Sequence, residues 1–460
     1  MQKNTIPLKK NSIYDVPIDG WSSDGSGVAH IDGYGVFVPR TIKGERWTIK
    51  IVKVTNSAIY GIPVQLLESS PDRITPVCGS YGKCGGCHTA HMTYEKELSL
   101  KLENVNSTLQ HVGDLDIEIK EILPSLKECS YRNKSICAVG NDPKTGLVIC
   151  GFYQKHSHRI IPVENCLLQS EESNQVNRVI VDWMNREHII PYDEGTHKGT
   201  VRHIFCRKSE HTHDFVVCIV SARGFGNKTD KLIDELCEKC PFITGIVLNV
   251  NKTKGNTILT GDFHTLWGDP CINDDLNGIH FSISPQAFFQ VNPLQAERLY
   301  SKVAEYADLN GTETVLDLYC GTGTIGLSLA SRSKSVIGIE IIEEAIENAK
   351  ENAKLNHISN TDFYCMDASE IANNIEQHSL NPDVIVVDPP RKGLNDSVIE
   401  SIVKMNPSRL IYVSCNPATL ARDLHILLEN GFCYSAGTAV DMFPRTNHVE
   451  TVVLMSRKDT

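Results

Sequence analysis

The stretch IYVSCNPATL, residues 411–420, sets Cys415 between an apolar β-like run and an Asn-Pro pair that reads as a helix start. Asn416 suits a helix N-cap and Pro417 the first helical position, so the thiol is expected near the positive end of the following helix. Such a position raises the thiolate fraction of a cysteine and suits a nucleophile. In NHVETVVLM, His448 and Glu450 stand two apart and are predicted to share one face of a strand. Glu450 becomes a candidate general base if it reaches the same pocket. A third group, PVCGSYGKCGGCHTAHM, carries Cys78, Cys84 and Cys87 on a glycine-rich loop beside His88 and His91. These are donors for an iron-sulfur cluster or for zinc.

Upstream of the thiol lies DLYCGTGTIG, predicted as a strand ending at Tyr319 and a turn through Gly321, Gly323 and Gly326 that opens a helix. Glycine lets the backbone pass close under a ligand. The next strand ends in Glu340, whose carboxylate can accept both ribose hydroxyls of an adenosine. Nicotinamide and S-adenosylmethionine enzymes share this signature. The fourth strand ends in Asp388-Pro389-Pro390-Arg391, which resembles the run by which many methyltransferases hold an amino group or target base near the methyl donor.

These residues need a scaffold, and the chain supplies a regular one from about residue 311. ETVLDLYCGTGTIGLSLA, KSVIGIEIIEEAIENAKENAK, NPDVIVVDPPRKG and SRLIYVSCNPATLARDL alternate apolar strands with helical stretches, the pattern of a doubly wound parallel α/β sheet. Ligands of such sheets sit beyond the carboxyl ends of the strands, where the unusual residues fall. Residues 1–70 read instead as a small β-barrel, with runs such as GVAHI, YGVFVPR, RWTIKIVKV and AIYGIPVQLL. RTIKGERWTIKIVK, residues 40–53, has five basic residues against one acid; Trp47 reads either as an exposed aromatic for single-stranded nucleic acid or as a core tryptophan. TYEKELSLKLENVNSTLQHVG has helical spacing, and residues 130–285 mix short strands and helices without a decisive motif.

Bulk properties narrow the class. At 460 residues the chain is expected to form two or three domains. No apolar run is long enough for a membrane span and the N-terminal stretch has no signal-peptide core, so a cytoplasmic enzyme is expected, working as a monomer away from membranes. Sixteen cysteines in that setting do not make a disulfide framework. Cys137, Cys150, Cys206, Cys218 and Cys433 read as fillers, and the Cys237–Cys240 pair as structural. The net charge of −11 argues against a non-specific binder of phosphate backbones and confines any nucleic-acid surface to a local patch.

Taken together, DLYCGTGTIG, Glu340, DPPRKG, SCNPATLARD and HVET closely resemble the uracil-5 RNA methyltransferases, which make 5-methyluridine in ribosomal and transfer RNA. FSISPQAFFQVN matches as well, GVAHIDGYGVFVP looks like the barrel called TRAM, and the cysteine loop with YRNK and VENC looks like a cluster-bearing middle domain. The resemblance implies a TRAM-like barrel over 1–70, a central domain over 71–284, and a Rossmann-like S-adenosylmethionine-dependent domain over 285–460. It implies Cys415 as nucleophile and Glu450 as the base that takes the carbon 5 proton. Gln290, Tyr319, Glu340 and Asp388 are implied as cofactor contacts, with Thr324 and Asp367 as further candidates beside Gly321 and Gly323. Phe288 or Phe289 offers a stacking face for the extruded base. Cys166 supplies a fourth thiolate beside Cys78, Cys84 and Cys87, and the resemblance favours a 4Fe-4S cluster over zinc. Possession of barrel and cysteine cluster together points to 23S ribosomal RNA, with transfer RNA as the alternative. A nicotinamide-dependent oxidoreductase would leave DPPR, SCNP and HVE without a joint purpose, and a non-catalytic RNA-binding protein would not need an activated thiol.

Overall fold

A computed structural model describes residues 8–371 and 381–457. The first six strands, β1 (Ile13–Pro17), β2 (Gly20–Trp21), β3 (Ser26–Ile31), β4 (Tyr34–Pro39), β5 (Arg46–Val54) and β6 (Ile59–Glu68), form one sheet in the order β1-β5-β6-β4-β3-β2. Three register shifts between β5 and β6 bend that pair, as bulges do, so the sheet curls around Val16, Ala29, Val36, Val38, Ile49 and Ile51. Trp47 lies between its two readings, partly buried against the barrel core: its Nε1 donates to Glu45 Oε2 at 2.8 Å, and Arg73 covers its ring while pairing with the same buried carboxylate. The aromatic that does face solvent on this barrel is Tyr60, 39 % exposed, beside Phe37 and under Lys53.

Two pieces of the middle of the chain pack apart from one another. Strands β8 (Lys134–Asn141), β9 (Val148–Tyr153), β10 (Ile160–Pro162), β11 (Val201–Lys208), β12 (Phe215–Ser221), β13 (Gly245–Val250) and β14 (Asp262–Gly268) make a sheet in the order β10-β9-β8-β11-β12-β13-β14. The helices Glu171–Arg186 and Thr229–Lys239 bury Val176, Ile180, Trp183, Leu232 and Leu236 against it. By contrast, the helix Tyr94–Gly113 and β7 (Glu121–Leu123) join the C-terminal sheet, with Val105 and Leu109 buried beside Leu420 and Leu424. A Cβ on Gly113 would lie 2.9 Å from Ala421 O, so the absence of a side chain permits that close helix approach.

After the hairpin β15 (Ile272–Leu276) and β16 (Ile279–Ile283) comes the sheet that carries the site. It comprises β17 (Thr314–Leu318), β18 (Ser335–Glu340), β19 (Thr361–Cys365), β20 (Val384–Val387), β21 (Arg409–Ser414), β22 (Phe432–Val440) and β23 (Glu450–Arg457), in the order β19-β18-β17-β20-β21-β23-β22-β7. The first five are parallel and β23 runs antiparallel to β21. Successive residues point to opposite faces and both faces are covered, which explains the unbroken apolar runs of the sequence. Val315, Val384 and Ile411 meet the helices Pro293–Ala307 and Thr324–Ala330, while Leu316, Ile385 and Leu410 meet the helices Asp396–Met405 and Pro417–Glu429. Chain order reverses at β17, which lies between β18 and β20, and such a reversal opens a crevice at the carboxyl ends.

Candidate active site

The turn after β17 is made by residues that occupy positive φ: Tyr319 at 65°, Gly321 at 55° and Gly323 at 81°. Gly321 has open space where its Cβ would be, the property of a backbone that a ligand approaches. Gly323 differs, because its Cβ would press on Phe363 and Ala349 at 3.1 and 3.2 Å; it serves packing and the helix start. The Gly321 amide donates to Glu340 Oε2 at 3.3 Å, while Glu340 Oε1 accepts from the amides of Ile341 and Ile342. The carboxylate at the end of β18 is therefore fixed against the glycine turn. Asp367, just past β19, accepts two hydrogen bonds from Ser369, which hold its carboxyl below the usual range. The Tyr319 hydroxyl is pushed up to about 12 by burial and by the charges of Asp367, Asp423 and Glu340.

Gln290, Tyr319, Gly321, Thr324 and Asp388 line one small cavity. Its walls come from β17, β20 and the loop before the helix Pro293–Ala307, whose position is set from the central sheet. Arg207, buried, donates to Ser284 O and Ala287 O, and Asn133 Nδ2 donates to Gln290 O at 3.0 Å. Phe289 is 2 % exposed and packs on Phe281, whereas Phe288, 65 % exposed, also lines the cavity. Both line the cavity, and of the two Phe288 is the exposed one.

Cys415 lies one residue beyond the end of β21. Ser414 and Thr451 are the last pair of the β21–β23 ladder, which leaves Cys415 and Glu450 across from one another just past it, with the Glu450 carboxyl bearing on the thiol. Burial and two neighbouring carboxyls, Glu450 and Asp388, push the Cys415 thiol up to about 11, with Arg391 acting the other way. Burial, with Asp388 adding to it, pushes Glu450 up to about 8, and burial pushes Asp388 up to about 7. Asp388 belongs to both groups, lining the cavity and bearing on the thiol and on Glu450. The loop after it is held to the thiol's helix: Asn416 Nδ2 donates to Arg391 O at 2.9 Å, and Asp423, buried, accepts from Leu394 N–H and Tyr412 O–H.

Two sequence expectations change here. Asn416 does cap the helix, accepting from Ala418 N–H, and Pro417 does open it. Yet the thiol precedes the cap among carboxyls, and burial raises its pKa instead of lowering it. Glu450 begins β23, so His448 lies in the preceding turn and does not share the strand. There His448 Nε2 is 3.4 Å from Arg391 Nη2, and burial lowers its pKa to about 4.

Residues 271–458 match the family profile described as tRNA (Uracil-5-)-methyltransferase, and residues 7–64 match the TRAM domain. An uncharacterized RNA methyltransferase of Clostridium tetani is 40% identical over 454 residues, covering 99% of this chain and 98% of that protein. One from Clostridium acetobutylicum is 42% identical over 460 residues, covering 99% of this chain and all of that protein. The chain belongs to the RNA uracil-5 methyltransferase family. Among solved structures, the Pyrococcus abyssi tRNA (uracil-54, C5)-methyltransferase in complex with S-adenosyl-L-homocysteine is similar with a TM-score of 0.78 at 27% identity. The match covers 96% of this chain and 99% of that one.

Membership makes S-adenosylmethionine the methyl donor, and the residues present fit it: a glycine with an open Cβ direction, a carboxylate held against that glycine turn and a cavity at the reversal of strand order. Two further residues at this site were not singled out by the sequence. Tyr300, whose hydroxyl is 3.2 Å from Thr324 Oγ1 and meets the Gln290 side chain, carries no sequence signal that separates it from a core aromatic. Asp317 sits inside DLYCG; its Oδ2 accepts from Gly326 N–H at 2.8 Å, its Oδ1 has no partner, and burial raises its pKa to about 8.

The four cysteines singled out by sequence do come together. Cys78, Cys84, Cys87 and Cys166 line a single largely apolar cavity, which Cys129 and Arg445 also reach. Neighbouring thiols reinforce the effect of burial on Cys84 and Cys87. His91 turns away, bonded to the Tyr81 hydroxyl and Thr41 O. Among the described residues no three His, Cys, Asp or Glu side chains are gathered tightly enough to hold a metal ion. Cys237 and Cys240 lie in and just after the helix Thr229–Lys239, with Cys240 buried in the core. No helix among the described residues is long and apolar enough to cross a membrane.

Proposed function

We propose that this protein transfers a methyl group to carbon 5 of a uridine in 23S ribosomal RNA, through an adduct on Cys415 resolved by Glu450. The observation that carries the reading is the opposition of those two residues at the ends of β21 and β23, beside a cavity that shares Asp388 with them. The Cys415 thiolate adds to carbon 6 of uracil, and the electron pair moves to carbon 5 as an enolate. Bound S-adenosylmethionine would supply an electrophilic methyl group, which carbon 5 takes with that electron pair as the sulfonium–methyl bond breaks to give S-adenosylhomocysteine. Glu450 takes the carbon 5 proton, the 5,6 double bond reforms, and the carbon–sulfur bond breaks to return the thiolate. A carboxyl titrating at about 8 suits proton exchange near neutral pH. The thiol, at about 11, gives up its proton when uracil is in place to the Asp388 carboxylate, which leaves the Glu450 carboxylate free for the carbon 5 proton. Phe288 at the cavity offers a stacking face, and the extruded base costs a few kcal/mol of lost stacking.

The ribosomal reading is carried over from the resemblance, in which barrel and cysteine cluster accompany that substrate. Tyr60, Phe37 and Lys53 on the barrel suit an unpaired nucleotide, which stacks on aromatics under a cation. Transfer RNA is the second reading, favoured by the Pyrococcus abyssi enzyme, which matches 96% of this chain and acts on tRNA; domain content therefore does not separate the two. Four thiolates around a cavity suit a 4Fe-4S cluster, which spreads its ligands farther apart than a single zinc ion does. The cluster is assigned a role in holding the fold or the RNA. The reading includes a monomer working in the cytoplasm. Mapping 5-methyluridine in ribosomal and transfer RNA from cells with and without the gene tests the substrate: loss confined to transfer RNA overturns the ribosomal assignment. Cys415→Ala is expected to abolish methyl transfer and keep donor binding, and full activity in that variant refutes the covalent route.

A further inference from the structure

The connection from β22 to β23, residues 441–449, delivers Glu450 to the site, yet many of its restraints come from the N-terminal half of the chain. Lys101 Nζ, buried on the helix Tyr94–Gly113, donates to Asp441 Oδ1 at 2.7 Å and to Phe443 O at 3.1 Å. The Tyr94 hydroxyl donates to Asp441 Oδ2 at 2.7 Å, and the Tyr131 hydroxyl to Pro444 O at 3.1 Å. Asn447 Nδ2 reaches Ser23 O of the barrel at 2.6 Å.

Arg445 stands at the centre of these restraints. Its φ is +67°, a conformation that a side-chain-bearing residue keeps only where its surroundings impose it. Its carbonyl accepts from His88 N–H at 2.8 Å and Thr89 N–H at 3.3 Å, and its own N–H donates to Glu97 Oε1 at 2.7 Å. The guanidinium donates to Met92 O at 3.1 Å, pairs with Glu128, lies 3.6 Å from Glu97 Oε2 and covers the Tyr94 ring. Its side chain is thus committed to residues 92–128 while its backbone leads into the strand that begins at Glu450. That glutamate is the first residue of β23, where a strand frays most readily.

We propose that Arg445 is a positioning residue for proton removal from carbon 5, pinning the connection so that the Glu450 carboxylate stays opposite Cys415. This rests on Glu450 acting as the base. A drifting carboxylate leaves thiol addition and methyl transfer intact. The carbon 5 proton then stays in place, the double bond cannot reform, and the carbon–sulfur bond to Cys415 persists.

The test uses the full-length protein, substrate RNA and labelled S-adenosylmethionine, with Arg445→Gln, Arg445→Lys and Glu450→Gln as variants. Arg445→Gln is expected to lower kcat by about 10- to 100-fold, the scale of a misplacement near 1 Å, with KM for RNA and donor affinity nearly unchanged. A methylated RNA–protein adduct should accumulate on a denaturing gel, and Arg445→Lys should recover part of the turnover. Should Arg445→Gln fail to fold, Tyr131→Phe, which removes one restraint on Pro444, should show a smaller accumulation of the same adduct. Wild-type turnover in the folded variants, or slow turnover without adduct, overturns the positioning role while Glu450→Gln still traps adduct. Failure of Glu450→Gln itself to trap adduct removes the base and this inference together.

Discussion

Replacing Glu450 with glutamine should make Cys415 more reactive towards an alkylating agent even as turnover is lost. The thiol titrates at about 11 because burial and the Glu450 and Asp388 carboxyls disfavour its anion. At pH 8.5 that leaves about 0.3 per cent as thiolate, and each pKa unit removed multiplies the fraction about tenfold. Glu450, titrating at about 8, is mostly ionised at pH 8.5, so glutamine removes a negative charge while keeping the shape. Burial, the larger cause, remains, and the expected gain is about three- to tenfold in alkylation rate. The gain should shrink below pH 7, where the wild-type carboxyl is protonated and already neutral. The assay is timed iodoacetamide labelling followed by mass spectrometry of the peptide containing Cys415, which separates it from the other fifteen cysteines. Slower labelling in the variant, or an equal ratio at pH 6.5 and 8.5, would refute the electrostatic coupling between the two residues.

Gly321→Ala should weaken S-adenosylhomocysteine binding about tenfold by calorimetry at a stability cost of about 1 kcal/mol, because φ is +55° but the new Cβ meets no protein atom. Gly338→Ala should do the reverse and lower Tm first, since its Cβ would lie 2.4 Å from Phe363. Asp317 has a folded pKa of about 8, above its unfolded value near 4, so wild-type stability falls as pH rises between those limits. Asp317→Asn removes that loss, worth up to about 5 kcal/mol, and its Tm advantage should widen from pH 5.5 to pH 8.5; a constant difference would contradict the buried carboxyl. Cys87→Ala or Cys166→Ala, purified without oxygen, should lose iron and acid-labile sulfide while donor binding stays, and unchanged iron content would remove the cluster.

Much of the fold could be read locally because local rules wrote it. The barrel runs, the helix at Tyr94–Gly113 and the parallel strands around 311–414 announce themselves by periodicity and turn residues, and each forms as expected. Trp47 illustrates where that stops: the residues around it are basic, but the carboxylate and the arginine that bury it, Glu45 and Arg73, are assembled by folding. Residues 94–123 follow the cysteine loop in the chain, and only packing against Leu420 and Leu424 puts them on the C-terminal sheet. Tyr300 and Arg207 are ordinary residues in sequence, and their contacts with Thr324 and the 284–287 loop exist only once distant elements meet.

For the site, the sequence alone determined the cast: a cysteine before an Asn-Pro cap, a glycine turn, a carboxylate closing the second strand, and three cysteines on one glycine-rich loop. These are properties of residue type and short spacing. Tertiary structure decided what they become together. The antiparallel register of β21 and β23 sets Cys415 against Glu450, and burial beside Asp388 fixes their protonation. Strand pairing and desolvation depend on groups far apart in the chain, so neither can be read from the residues that flank the thiol.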